Sequence, residues 1–77
     1  MPSRYPNQIR TYRLRAGLTQ RELGAFVGAS RSLVSTWERG HQLPALPTVF
    51  RLARRLDTLA EGLFHELFDA SRLTTES

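Results

Sequence analysis

The sequence predicts an all-α fold of five short helices. Three observations lead there. Apolar residues recur at three- and four-residue spacing along most of the 77 residues. A helix-start pair, Thr19 with Glu22 three positions on, precedes one of these runs. Gly17, Gly28 and Gly40 stand where runs stop. No strand, internal repeat or long linker is expected. Residues 7–68 read as one small domain, with 1–6 and 69–77 as flexible termini.

The first helix begins at about Pro6–Gln8 and runs to Ala16. Pro6 suits a first turn and Asn7 suits a cap. The second starts sharply. Thr19 and Glu22 form a capping box, in which each side chain satisfies the other's free backbone N–H. Leu18 before the cap and Leu23 inside the helix form a hydrophobic staple. The helix runs to about Val27, and Gly28 takes the positive φ that a tight turn needs. Ser30 caps the third helix, which ends at Glu38 or Arg39. Loop residues His41–Ala45 follow. Pro47 sits in the first turn of the fourth helix, about Leu46–Leu56, with Val49, Leu52, Ala53 and Leu56 inward. The fifth is expected at about Ala60–Phe68.

At 100° per residue, Arg31, Ser32, Ser35, Thr36 and Arg39 share one face of the third helix. Leu33, Val34 and Trp37 lie opposite or at its border. The three-residue turn sets the second and third helices roughly perpendicular, with Leu23, Val27, Val34 and Trp37 under the elbow. Gly24 falls at their crossing. The polar face stays free, on a helix that fits a DNA major groove about 12 Å wide.

Charge agrees with a polyanion partner. All eleven basic residues are arginine. Ten lie at or before Arg55 against two acids, Glu22 and Glu38, so that part carries about +8. Residues 56–77 hold five acids and Arg72, about −4. No cysteine is present, which excludes disulfides and thiol chemistry. Met1–Pro6 lacks the apolar core of a signal peptide, and no apolar run approaches a membrane span, so a cytoplasmic protein is expected. No nucleophile–base–acid set and no glycine-rich phosphate cradle occurs, so no enzyme and no cofactor are expected. Glu61 and His65, four apart, read as a surface pair and not a metal site, since two ligands without a third hold a metal poorly.

These residues carry a family resemblance. Leu18-Thr-Gln-x-x-Leu23, then Val27-Gly-x-Ser30-x-x-x-Val34-x-x-Trp37-Glu-Arg-Gly40-x-x-x-Pro44, resembles the Cro/C1-type helix-turn-helix family in register and without a gap. These are the lambda repressor-like domains, also called the Xre family. Ile9, Arg13, Leu52, Ala53, Leu56 and Phe64 extend the likeness over about residues 7–64. The resemblance implies a five-helix domain and sequence-specific binding of double-stranded DNA, usually as a homodimer on a palindromic operator. A bacterial or phage-type repressor is the function it implies.

The candidate site follows. Arg31, in the first turn of the third helix, suits guanine O6 and N7. Ser32, Ser35 and Thr36 join it as base-edge readers, the resemblance being weakest for Ser35. Gln20, where free N–H groups begin the second helix, is a phosphate contact, with Arg39 and Gln42 beyond the third helix. The resemblance pairs Arg13 with Glu38, which neutralises an acid that otherwise repels phosphate. Phe64 and Phe68 are expected at a dimer contact, because the fifth helix has more bulky apolar residues than it can bury.

The chain departs from the family at Gly24, where alanine is usual, at Phe26, where charge is common, and at Ala45 and Leu59, where caps are expected. Two other functions fit the same sequence. One is the antitoxin of a toxin–antitoxin pair, which binds its operator and a toxin through the apolar end. The other, of a different class, is a protein-interaction module without DNA binding. Operator sequence and any relieving signal are not legible.

Overall fold

The computed structural model describes residues 4–69. Its helices are α1 (Ile9–Arg15), α2 (Gln20–Val27), α3 (Arg31–Glu38), α4 (Leu46–Arg55) and α5 (Ala60–Leu63). A further helical stretch covers residues 65–69, and no strand occurs among the described residues. The all-α architecture is the one the sequence predicts.

The capping chemistry explains where α2 and α3 begin. The Thr19 hydroxyl accepts from the Glu22 N–H at 3.0 Å, and the Glu22 carboxylate accepts from the Thr19 N–H at 2.9 Å. The Ser30 hydroxyl accepts from the Leu33 N–H at 3.1 Å. Ala45 gives α4 no side-chain cap, as its methyl must, and the proline in the first turn sets the entry instead. At the far end of α4, Asp57 takes φ +55. The Thr58 N–H then reaches the Ala53 carbonyl at 2.9 Å, closing the helix with a non-glycine residue in a left-handed position.

α2 packs on α3 and α4, α4 on α5, and α1 on α3. Ile9, Leu23, Val34, Leu52 and Leu63 are wholly buried at the centre, ringed by Val27, Trp37, Val49, Ala53, Leu56 and Phe64. The fit between α2 and α3 depends on Gly24. A Cβ built there runs into the Ala29 carbonyl oxygen. The Ala29 N–H in turn donates to the Gly24 carbonyl at 2.8 Å. The turn folds back on the helix at this residue, and only glycine leaves room. Phe26 lies 57% exposed, with the Arg55 guanidinium stacked over its ring at 5.4 Å, which links α2 to the end of α4.

The sequence predicts one fifth helix through Phe68; the structure breaks it at Phe64, whose φ of −126° and ψ of 41° are not helical. Packing gives the reason. The break lets the adjacent Leu63 and Phe64 both enter the core. The Leu63 carbonyl, freed from the helix, accepts from the Gln8 N–H at 2.8 Å, so the polar cost is met by α1. Phe64 is 3% exposed and packs in the core, yet it also lines an apolar groove beside Phe68, which is 48% exposed.

The N-terminal arm makes backbone and side-chain hydrogen bonds at Tyr5 and Asn7. The Tyr5 N–H donates to the Gly40 carbonyl at 3.0 Å. The Asn7 amide donates to the Tyr5 and Trp37 carbonyls at 2.9 and 2.8 Å, and its oxygen accepts from the Ile9 N–H. One side chain thus satisfies the first N–H of α1 and fastens this end of the helix to the end of α3. Residues 1–3 and 70–77, the rest of the expected flexible termini, lie outside the described residues.

Candidate nucleic-acid interface

The face of α3 away from the core is polar along its length. Val34 and Trp37 are buried, and Leu33 packs at the core edge. Arg31, Ser32 and Arg39 are exposed, and Ser35 and Thr36 are partly exposed beside them. All five base-face residues predicted from periodicity stand outside the core. Their hydrogen-bonding freedom differs. The Thr36 hydroxyl donates to the Ser32 carbonyl at 3.0 Å, so its proton is committed within the helix while its oxygen still accepts. The Arg39 Nε reaches the Ser35 carbonyl at 3.4 Å, the long limit of a hydrogen bond. Ser32 and Ser35 make no side-chain hydrogen bond among the described residues, and neither does Arg31.

Behind this face lies the ion pair that the family resemblance implies. Arg13 Nε and Nη2 donate to the two Glu38 oxygens at 2.6 and 3.2 Å. The Arg13 side chain is 10% exposed and that of Glu38 5%. Arg13 Nη1 donates to the Leu18 carbonyl at 2.8 Å. The forked geometry neutralises Glu38 and ties α1 to α3, and the third bond fixes the segment that leads into α2.

Gln20 joins the network. Its amide nitrogen donates to Glu38 at 3.2 Å from the first residue of α2. The phosphate contact expected at Gln20 thus starts from a held side chain. Gln42 is exposed in the loop after α3, as is His41. The structure brings together Arg13, Gln20, Ser35, Glu38 and Arg39 around one cleft, and Arg31 opens onto its neighbour. The role of Asn7 across 30 residues escaped the sequence reading, because a local pattern signals a cap and not a distant carbonyl.

Electrostatics at the edge of the site come from the capping box. Hydrogen bonds from the Thr19 backbone and side chain hold the Glu22 carboxyl below its ordinary value, and Arg55 acts in the same direction.

The comparisons agree with this geometry. A helix-turn-helix family model matches residues 9–63. An uncharacterized HTH-type transcriptional regulator of Archaeoglobus fulgidus is 35% identical over 66 residues, covering 86% of this chain and 91% of the relative. The P22 c2 repressor, solved with a synthetic operator, superposes with a TM-score of 0.67 at 30% identity, over 70% of this chain and 82% of the repressor. The restriction-modification controller protein C.AhdI of Aeromonas hydrophila gives 0.67 at 35% identity, over 74% and 86%. The chain belongs to the Cro/C1-type helix-turn-helix family of DNA-binding regulators.

Proposed function

We propose that the chain is a transcriptional repressor that binds a specific, two-fold operator as a homodimer, with α3 in the major groove. One observation carries this reading. The outward face of α3 is polar along its length, and Arg31, Ser32 and Ser35 on it make no side-chain hydrogen bond among the described residues. It stands in the arginine-rich part of the chain, and the one acid beneath it is neutralised by Arg13. Arg31 reads a guanine through O6 and N7, and Ser32, Ser35 and Thr36 meet neighbouring base edges. Gln20, Arg39 and Gln42 hold phosphates and set the register. The likeness to a repressor crystallised on its operator supports the same placement.

The dimer rests on a second surface. Leu43, Leu46, Phe64, Leu67 and Phe68 border an open apolar groove of about 340 Å³ between α4 and the helical stretch of residues 65–69. A second copy of the chain is its occupant in this reading. An isologous contact there sets two α3 helices on one duplex face, roughly 34 Å apart.

Selection of bound sequences from a random duplex pool tests the function. The expected product is a palindrome with half-site centres about one helical turn apart. Arg31→Ala then loses preference at one base pair per half-site, roughly 5- to 150-fold, from the ~1–3 kcal/mol of a bidentate guanine contact. Gln20→Ala weakens all sequences alike. Equal binding of selected and random duplexes at moderate salt overturns the proposal.

A further inference from the structure

We infer that Arg10 and Arg21 are two further phosphate-gripping residues, one on each side of Gln20, so that the DNA backbone crosses the start of α2 between two arginine-lined clefts. The inference rests on the DNA-binding reading above and extends it to residues that the helix-turn-helix pattern does not mark.

The first cleft, of about 330 Å³, is bordered by Arg10 on α1, Gln20 on α2, and Ser35, Glu38 and Arg39 at the end of α3, over Arg13. The second, of about 540 Å³, is bordered by Thr19, Gln20 and Arg21 on α2 and by Arg31 on α3, again over Arg13. Gln20 and Arg13 belong to both, so the clefts adjoin.

Their charge is what points to an anion. Arg10, Arg21, Arg31 and Arg39 are all exposed, and none is in an ion pair among the described residues. The sole acid lining either cleft is Glu38. It is held by Arg13 Nε and Nη2 and by the Gln20 amide, so it does not offset the other arginines. Four guanidiniums from three helices therefore face two concave surfaces without a counter-charge. Arg15 lies over the Tyr12 ring and Arg55 over the Phe26 ring, so those two are engaged within the chain. The start of α2 adds free N–H groups between the clefts. Arg10 stands one helical turn before Arg13 and so rises on the same side of α1 as the buried pair.

The two residues differ in kind from Arg31. They meet the backbone and carry no sequence information, so they act on every duplex equally. Each phosphate they neutralise releases counterions, and the logarithm of the binding constant then falls with the logarithm of salt by about 0.9 more per contact.

The test is a salt titration of the full chain on a random-sequence duplex and on its selected operator, from about 50 to 200 mM potassium chloride. Arg10→Ala and Arg21→Ala are each expected to reduce the slope by about 0.9, and the double variant by about 1.8, on both duplexes. Arg10→Lys and Arg21→Lys keep the slope. Arg54→Ala, exposed on α4 and bordering neither cleft, leaves it unchanged. Far-UV circular dichroism checks that each variant is folded. Unchanged slopes for the two alanine variants overturn the inference and leave DNA binding intact. An equal loss for Arg54→Ala also overturns it, since net charge alone then accounts for the effect. A wild-type chain whose binding ignores salt overturns both this inference and the function it rests on.

Discussion

Arg13 and Glu38 show how one pair serves stability and function together. Both side chains are nearly buried, and their opposite charges meet in two hydrogen bonds. Removing one partner leaves the other buried and unpaired, at a cost of about 3–5 kcal/mol. A 77-residue domain has roughly 4–12 kcal/mol in all. Glu38→Ala is therefore expected to lose much of the chain's stability in urea denaturation. The double variant Arg13→Met with Glu38→Leu recovers most of it, because the unpaired charge is gone. A single variant as stable as wild type contradicts the account. Glu22 behaves differently, being fully exposed. Its carboxyl titrates below the ordinary value in the folded chain because Thr19 donates to its charged form. Its contribution is therefore complete above about pH 4.5 and is lost as pH falls through the depressed folded value. Denaturation at about pH 6 and about pH 3 should show this loss in wild type and a smaller one in Glu22→Gln, whose amide oxygen still accepts but does not titrate. An equal loss in the two proteins excludes the capping box as the source.

At the scale of the elements, local chemistry was legible and long-range packing was not. α2 and α3 could be placed within a residue, because Thr19, Glu22 and Ser30 announce their caps in sequence. The break at Phe64 has no such mark. It arises because burying both Leu63 and Phe64 in the common core outweighs continuing one short helix, and the Gln8 N–H that compensates lies 55 residues away in sequence. The Asn7 bond to Trp37 was hidden for the same reason. Gly24 departs from the alanine usual in the family, and the structure shows why glycine is needed there. Alanine stabilises an exposed helix interior by about 0.5–1 kcal/mol over glycine. Here the added methyl meets a backbone carbonyl in the turn, and the turn cannot yield without moving α3. Gly24→Ala is expected to destabilise the chain by about 1–3 kcal/mol, read as a lower thermal midpoint. Asp57 presents the opposite case. It holds φ +55 without being glycine, so Asp57→Gly should raise stability by about 0.5 kcal/mol. A fall on that substitution means that the Asp57 side chain does something beyond closing α4.

The whole molecule separates two surfaces. The polar face of α3 with its arginines came readily from the sequence, because helical periodicity and charge both report it. The apolar groove came only in part. Sequence named Phe64, which is 3% exposed and lines the groove from the core side, and Phe68, which is 48% exposed. Leu46, 64% exposed at the start of α4, and Leu43, 44% exposed in the loop, complete the surface. They were missed because exposure of the loop side of α4 depends on where residues 60–69 pack. If a second copy covers this groove, one charge placed in it separates two properties. Phe68→Glu should leave each domain folded, since Phe68 lies outside the core, yet yield a species of 8.8 kDa where the wild type has twice that mass by light scattering. Its affinity for an isolated half-site should match wild type, because α3 is untouched. Its affinity for the full operator should fall by about 10²–10⁴, the advantage that linking two half-site contacts gives. A monomeric wild type that binds the operator as tightly as the variant does rules out the homodimer, and the groove then belongs to a different partner protein. The half-site measurement makes the outcome decisive, since it holds the reading helix constant while the assembly changes.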